Sequence, residues 1–193
     1  MSDPPARPPL PAGADVDTVW TVGHSTRSWE EFLSVLASQR IGAIADVRRF
    51  PASRRHSWFA GEAMAEGLPA AGLEYLWLPQ LGGRRRVQPG SPNGAWRNAA
   101  FQGYADHMAS AEFAEGLHLA LGLAARARTA LMCAEAVWWR CHRRLVSDVL
   151  RQRGIEVLHI IDATHVQPHP LHPDARPNGD LVIYPPAQPG LFQ

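Results

Sequence analysis

Five short apolar runs rich in β-branched or aromatic residues punctuate the chain: TVWTV from Thr18, IGAIADV from Ile41, LEYLWL from Leu73, TALMCAE from Thr129 and IEVLHII from Ile155. Stretches with helical spacing lie between them. This alternation constrains the fold more than any other feature, because strand–helix–strand units close as right-handed crossovers and build a mostly parallel sheet covered on both faces. The expected fold class is therefore α/β, a three-layer sandwich with a mostly parallel sheet of about five strands. The helical stretches carry their own signals. Ser28 is placed to cap a helix whose first turn holds Glu30 and Glu31, whose apolar face is Phe32, Leu33, Val35 and Leu36, and which ends near Arg40. Residues 60–71 read as a second helix, 100–126 as one or two more, and Arg140 to Arg153 as a last one closed by Gly154. LVIY from Leu181 is a further short strand candidate.

A chain of 193 residues buries one good core, so residues 18–185 are expected to form a single domain. The first 17 residues hold five prolines and little to bury, which predicts a disordered arm, and 186–193 read as a tail. No apolar run approaches the roughly 20 residues of a membrane span. The start of the chain lacks the basic and apolar segments of a secretory signal, so a cytoplasmic, reducing location is expected, where cysteines stay thiols.

The strands share a second property: each ends in residues with chemistry. The ends read Gly23-His24-Ser25, then Asp46-Val47-Arg48, then Leu81-Gly82-Gly83-Arg84 beyond the third strand, Cys133-Ala134-Glu135, and Asp162 followed by His165. In a parallel sheet these ends lie at one edge, where ligands bind. The loops at that edge are long and the returns at the other are short, as expected for function carried on a rigid scaffold. A net charge of +1 conceals 19 basic residues that are all arginine, clustered at Arg48-Arg49, Arg54-Arg55, Arg84-Arg85-Arg86 and Arg143-Arg144. Guanidinium forks suit bidentate capture of phosphate or carboxylate.

The stretches TVGHSTRSWEEF, ADVRRFPASRR, LPQLGGRRR, FQGYADHM, LMCAEAVWWRCHRRLVSDVL and LHIIDATHVQPH, in this order and at these spacings, resemble the prokaryotic family called domain of unknown function 488. The likeness covers about residues 18–185 and is carried by His24, Ser25, Asp46, Arg48, Pro51, Ser53, Gly82, Gly83, Cys133, Glu135, Cys141, His142 and Arg143. It implies membership of a family with no agreed activity, so chemistry has to be argued from the side chains.

Residues 131–145, LMCAEAVWWRCHRRL, hold both cysteines of the chain. Cys141 shares a helical stripe with Leu145 and Val149, and His142 with Val146 and Leu150, so both start the buried side of a helix. Cys133 and Glu135, two apart on a strand, face one way. Several fates fit these residues. The thiols can simply pack, with Glu135 paired to Arg143 or Arg48. Cys133, Cys141 and His142 can bind a metal with His24 or Glu135 completing a tetrahedron, although common zinc modules place cysteines only two to four apart. A transient disulfide is a third fate, and a nucleophilic Cys141 beside His142 and Arg143 a fourth. The expected site has Cys133, Glu135, Cys141, His142 and His24 in catalytic roles. Ser25, Asp46, Arg48, Ser53, Gly82, Gly83, Arg84 and Arg143 are the binding residues, and no metal is assigned.

The expected function is that of an enzyme acting on a small anionic ligand, phosphorylated or nucleotide-like. The alternatives are a nucleic-acid-binding module, suggested by paired arginines and by Trp58, Trp77, Trp96, Trp138 and Trp139 in or beside loops, or a metal-binding protein. A pI of about 8.0 disfavours the nucleic-acid alternative, since phosphate-tracking domains usually exceed about 9. The sequence names no cofactor and no oligomeric state.

Overall fold

A computed structural model describes residues 16–53 and 55–187. Most of the expected arm, residues 1–15, and most of the expected tail, 188–193, lie outside the described residues, as does Arg54.

The elements follow in the order β1 (Thr18–Gly23), α1 (Trp29–Ser38), β2 (Ala43–Asp46), α2 (Gly61–Ala70), β3 (Glu74–Trp77), α3 (Ala99–His107), α4 (Ala111–Ala124), β4 (Thr129–Cys133), α5 (Arg143–Gln152), β5 (Glu156–Ile160), β6 (Val166–Pro168), β7 (Arg176–Asn178) and β8 (Leu181–Ile183). The main sheet has the order β3-β2-β4-β1-β5-β6. Its first five strands are parallel and β6 runs antiparallel to β5. The sheet thus has one strand more than expected, because Gln167 and its neighbours form an edge ladder too short to read from pattern. β7 and β8 pair as a separate hairpin, so LVIY is a strand but not of this sheet.

The inner strands are buried on both sides, which is why they read as continuous apolar runs. Trp20, Val22, Ile44, Ala130 and Met132 pack with Phe32, Leu36, Met64 and Leu68 of α1 and α2. On the other face Val19, Ala43, Ala45, Leu131 and Cys133 pack with Tyr104, Phe113, Leu117, Leu145 and Val149 of α3, α4 and α5. Helices therefore cover both faces and the three-layer sandwich is formed.

α1 begins as its sequence dictates. The Ser28 hydroxyl accepts from the Glu31 N–H at 3.1 Å, and the Glu31 carboxylate accepts from the Ser28 N–H at 2.7 Å, a reciprocal capping box. Ser28→Ala is expected to cost about 1 kcal/mol, read as a lowered denaturation midpoint; an unchanged midpoint would show the cap contributes nothing.

α5 differs from expectation at its start. Trp138–Arg140 form a single 3-10 turn, Cys141 is extended, and the helix proper begins at Arg143. The cause is tertiary: the Trp138 ring lies flat on His159, with centroids 4.1 Å apart and planes 9° apart. That anchor fixes a separate turn, and the chain needs an extended residue to rejoin the helix.

The connections leaving β1 and β2 cross the face of α1 and α2, while the one leaving β4 crosses to α5 on the opposite face. β4 lies between β1 and β2, so the chain parts in opposite directions on both sides of its carboxyl end. Such a switch point leaves a crevice, the usual binding place in open α/β sheets.

Candidate functional site

The crevice is built by loops drawn tightly together. The His24 N–H donates to the Cys133 carbonyl at 2.9 Å and the Ser25 N–H to the Ala134 carbonyl at 3.0 Å. A Cβ on Gly23 would fall 2.1 Å from the Glu135 carbonyl oxygen. Only glycine lets the end of β1 approach the loop after β4 so closely. That loop returns through the Trp138 turn and brings Cys141 and His142 back beside Cys133. One ligand-capable atom from each of Cys133, Cys141 and His142 lies within 4.8 Å of the others.

His142 is oriented by its backbone surroundings. Its Nε2 lies 3.0 Å from the Val47 carbonyl, which can only accept, so Nε2 carries a proton. Nδ1 then faces the Cys141 sulfur at 3.6 Å. A side chain at Gly83 would meet that same Nδ1 at 3.0 Å, so glycine here keeps the ring edge clear.

Arg143 is 1% exposed. Its guanidinium donates to the Glu135 carbonyl, to Thr21 Oγ1 at 3.5 Å and to the Cys141 sulfur at 3.5 Å. Among the described residues no carboxylate forms an ion pair with it. A buried cation favours an anion beside it, and the Cys141 sulfur is the group in reach that can become one. Burial pushes the Cys141 thiol up, yet the hydrogen bond from Cys133 and the charges of His142 and Arg143 outweigh it and hold the thiol well below its ordinary range. Cys133, which donates that hydrogen bond and is itself buried, is raised correspondingly.

Above this cluster opens a recess of about 230 Å³ walled by Arg48, Arg49, Phe50, Gly83, Arg84, Cys133, Ala134 and His142. A larger recess of about 750 Å³ shares Gly83, Arg84, Cys133, Ala134 and His142 and extends to Glu135, Phe101, Trp139, Arg140 and Cys141. Cys133, Glu135, Cys141, His142, Arg48, Gly83 and Arg84, anticipated from sequence, thus reach these two adjoining recesses. Gly82 backs them by packing on Arg49, where a Cβ would come within 2.6 Å.

Other anticipated residues have different roles. Arg48 is an ion-pair partner before it is a wall: its Nε and terminal nitrogen grip both oxygens of fully buried Asp46 at 2.8 and 2.6 Å, and another nitrogen donates to the Phe59 carbonyl at 2.7 Å. Asp46 also accepts from the Tyr75 hydroxyl at 2.8 Å, so it is committed to structure. His24 Nε2 accepts from Arg48 at 3.2 Å, and Nδ1 donates to the Ser25 carbonyl at 3.0 Å. The ring stacks on Phe59. Burial and the Arg48 charge lower its pKa to about 4, so His24 is a neutral positioning group with both nitrogens engaged. Ser25 holds a positive φ of 53° in the turn. Ser53 accepts from the His56 N–H at 3.1 Å in its own loop, away from both recesses.

The expected pairing of the Glu135 carboxylate with Arg143 or Arg48 is not formed. Glu135 follows the end of β4, is exposed, and turns its carboxylate toward the Val137 N–H at 3.3 Å. Arg143 takes its carbonyl instead. Sequence reasoning also passed over Arg49, Phe50, Arg140 and Phe101 as wall residues. Of these, Arg49 was legible in principle, as the neighbour of Arg48 in one of the arginine pairs.

A second polar chain runs inward from the same place. Thr21 Oγ1 lies 2.6 Å from His159 Nδ1, His159 Nε2 lies 2.9 Å from His169 Nδ1, and His169 Nε2 lies 3.0 Å from Asp148 Oδ1. Asp148 Oδ1 also accepts from the His172 N–H at 2.9 Å, and Oδ2 from the Tyr184 hydroxyl at 2.7 Å. Thr21, Asp148, His159 and His169 are all buried.

A family model described as domain of unknown function DUF488 matches residues 28–150. The matched span holds Arg48, Arg49, Gly83, Arg84 and the whole of 131–145, and begins just after His24 and Ser25. No curated protein and no solved structure matches the chain.

Proposed function

The chain belongs to the family of domain of unknown function DUF488, and we propose that it is an enzyme that binds a phosphorylated or nucleotide-like substrate at the end of β4, setting its anionic group against Cys133 and His142. One observation carries this reading: Arg49 and Arg84 stand in the same 230 Å³ recess as Cys133 and His142. Arg84 adopts a positive φ of 61°, and Arg49 donates to its carbonyl at 3.2 Å, so the two arginines are held as a pair. Both lie near the exposed ring of Phe50, at 5.7 and 6.0 Å. Trp139, about half exposed on the rim of the larger recess, offers a face on which a base can stack.

A nucleic-acid strand is less well served. Trp96 makes tilted and edge-on contacts with Phe101, His172 and Tyr184, and Trp138 stacks on His159, so two of the five loop tryptophans are engaged in the body.

The test is titration of the protein with inorganic phosphate and with a nucleoside monophosphate by calorimetry. Arg84→Ala and Arg49→Ala are each expected to weaken binding about tenfold, the loss of one charge-assisted hydrogen bond at roughly 1.4 kcal/mol. Phosphate that does not bind, or that binds both variants as well as the parent, overturns the reading. Tight capture of an oligonucleotide with a steep salt dependence, without any effect of Arg84→Ala, would favour the nucleic-acid module instead.

A further inference from the structure

We infer that Cys133, Cys141 and His142 form a zinc site with three protein ligands, whose fourth position opens into the arginine-lined recess. The inference deepens the function proposed above, on which the identity of the fourth ligand rests; the three-residue ligand set stands on its own geometry.

That geometry is close to what the ion requires. With zinc–sulfur near 2.3 Å and zinc–nitrogen near 2.0–2.1 Å, ligands at tetrahedral angles stand about 3.8 Å apart for two sulfurs and about 3.5 Å for sulfur and nitrogen. Cys141 Sγ and His142 Nδ1 are 3.6 Å apart, and all three ligand atoms fall within 4.8 Å of one another. The imidazole is already oriented as a ligand. Its Nε2–H is held by the Val47 carbonyl at 3.0 Å, the outer-shell bond that fixes the tautomer of a metal-binding histidine and directs the other nitrogen to the ion. Arg143 donates to the Cys141 sulfur at 3.5 Å, a contact suited to a ligating thiolate.

The fourth position stays open because both side chains that could fill it are occupied elsewhere. His24 has Nδ1 on the Ser25 carbonyl and Nε2 on Arg48. Glu135 is exposed, with its carboxylate on the Val137 N–H. What remains on that side is the recess that Cys133 and His142 line together with Arg49 and Arg84. Three protein ligands and one exchangeable place is the arrangement of catalytic rather than structural zinc. Two thiolates and a neutral imidazole cancel the charge of Zn²⁺, their thiol protons passing to solvent as the ion binds. Arg143 then leaves the site net positive, so the favoured fourth ligand is an anion: hydroxide, or an oxygen of a phosphoryl group.

The experiment is metal titration of the full chain under reducing conditions. Zinc is expected to bind at one equivalent per chain, and cobalt(II) in its place should show sulfur-to-cobalt charge transfer with the intense visible bands of tetrahedral coordination. Cys133→Ser, Cys141→Ser and His142→Ala should each weaken zinc binding by at least about 100-fold, the upper end of what losing a mere outer-shell partner costs. Far-UV circular dichroism checks that each variant folds. If one does not, the parent's cobalt spectrum still decides, because its charge-transfer band reports thiolate ligation directly. Inorganic phosphate added to the cobalt form should shift the visible bands. Absence of metal binding, while phosphate still binds in an Arg84-dependent manner, overturns the zinc site and leaves the substrate reading intact. A tetrahedral cobalt spectrum in a protein that binds no phosphate does the reverse. Full zinc affinity in Cys133→Ser overturns the ligand set.

Discussion

Asp148→Ala is expected to lower the unfolding free energy by about 3–5 kcal/mol, the cost of removing one member of a buried charged network. Asp148 has no exposed surface, and both of its oxygens are used. Oδ1 accepts from His169 at 3.0 Å and from the His172 N–H at 2.9 Å, and Oδ2 from Tyr184 at 2.7 Å. Alanine leaves three donors without an acceptor, each carrying its own desolvation cost. Tyr184 in turn packs among residues of α3, α4 and α5, so no water replaces the lost oxygen without opening the core. Asp148→Asn keeps one acceptor oxygen but turns an N–H₂ group toward a donor, and should fall between parent and alanine. Guanidinium denaturation near neutral pH reads the effect as a lower midpoint with little change in slope. A loss under about 1 kcal/mol would mean that these hydrogen bonds are replaced readily and that the network is not a structural element.

Acidification is expected to remove stability over a defined window. His24 titrates near 6.5 in the unfolded chain and near 4 in the folded one. Below pH 6.5 the unfolded state therefore binds a proton that the folded state refuses, and stability falls with pH until both states are protonated near pH 4. At about 1.4 kcal/mol per unit, the loss across that window is about 3 kcal/mol from His24 alone. Stability is fully present above pH 6.5. His159 acts in the same direction, held neutral by burial and by the nearby His169. Its contribution begins to be lost in the same window and goes on falling at lower pH. Denaturation curves from pH 7.5 to 4.5 test the slope, and His24→Asn should flatten it by about His24's share. A parent whose midpoint is constant through this range would contradict the buried, neutral state of both rings.

Much of the body was legible because parallel strands buried on both faces leave an unbroken apolar signature. β1 to β5 and the Ser28 cap fall where the residues predict. β6 and β7 were not legible, since three residues that include a proline carry no periodicity; their pairing comes from the tertiary surroundings. The start of α5 was misread for a related reason. WWRCHRR has helical composition, but the stacking of Trp138 on His159, distant in sequence, takes Cys141 out of the helix. The residues at the strand ends were found because the sheet direction places them at one edge whatever the details. Their roles were less accessible. Whether His24 is free or committed depends on Arg48 twenty-four positions away, and whether Glu135 or its carbonyl meets Arg143 depends on a turn that no local signal encodes. Asp148 carried a detectable sign: an acidic residue between Leu145 and Val149 on the buried side of a helix must find partners, and three of them come from residues beyond β5.

The two polar attachments of α5 act together in a way that neither does alone. Arg143 ties its first turn to the loop after β4 and to Thr21, while Asp148, five residues further along, ties its middle to His169, His172 and Tyr184. Apolar ridges tolerate a small axial slide or a few degrees of roll, but two directional anchors more than a turn apart do not. The helix is thereby pegged against both translation and rotation. Cys141 and His142, hung from its leading end, inherit that fixity.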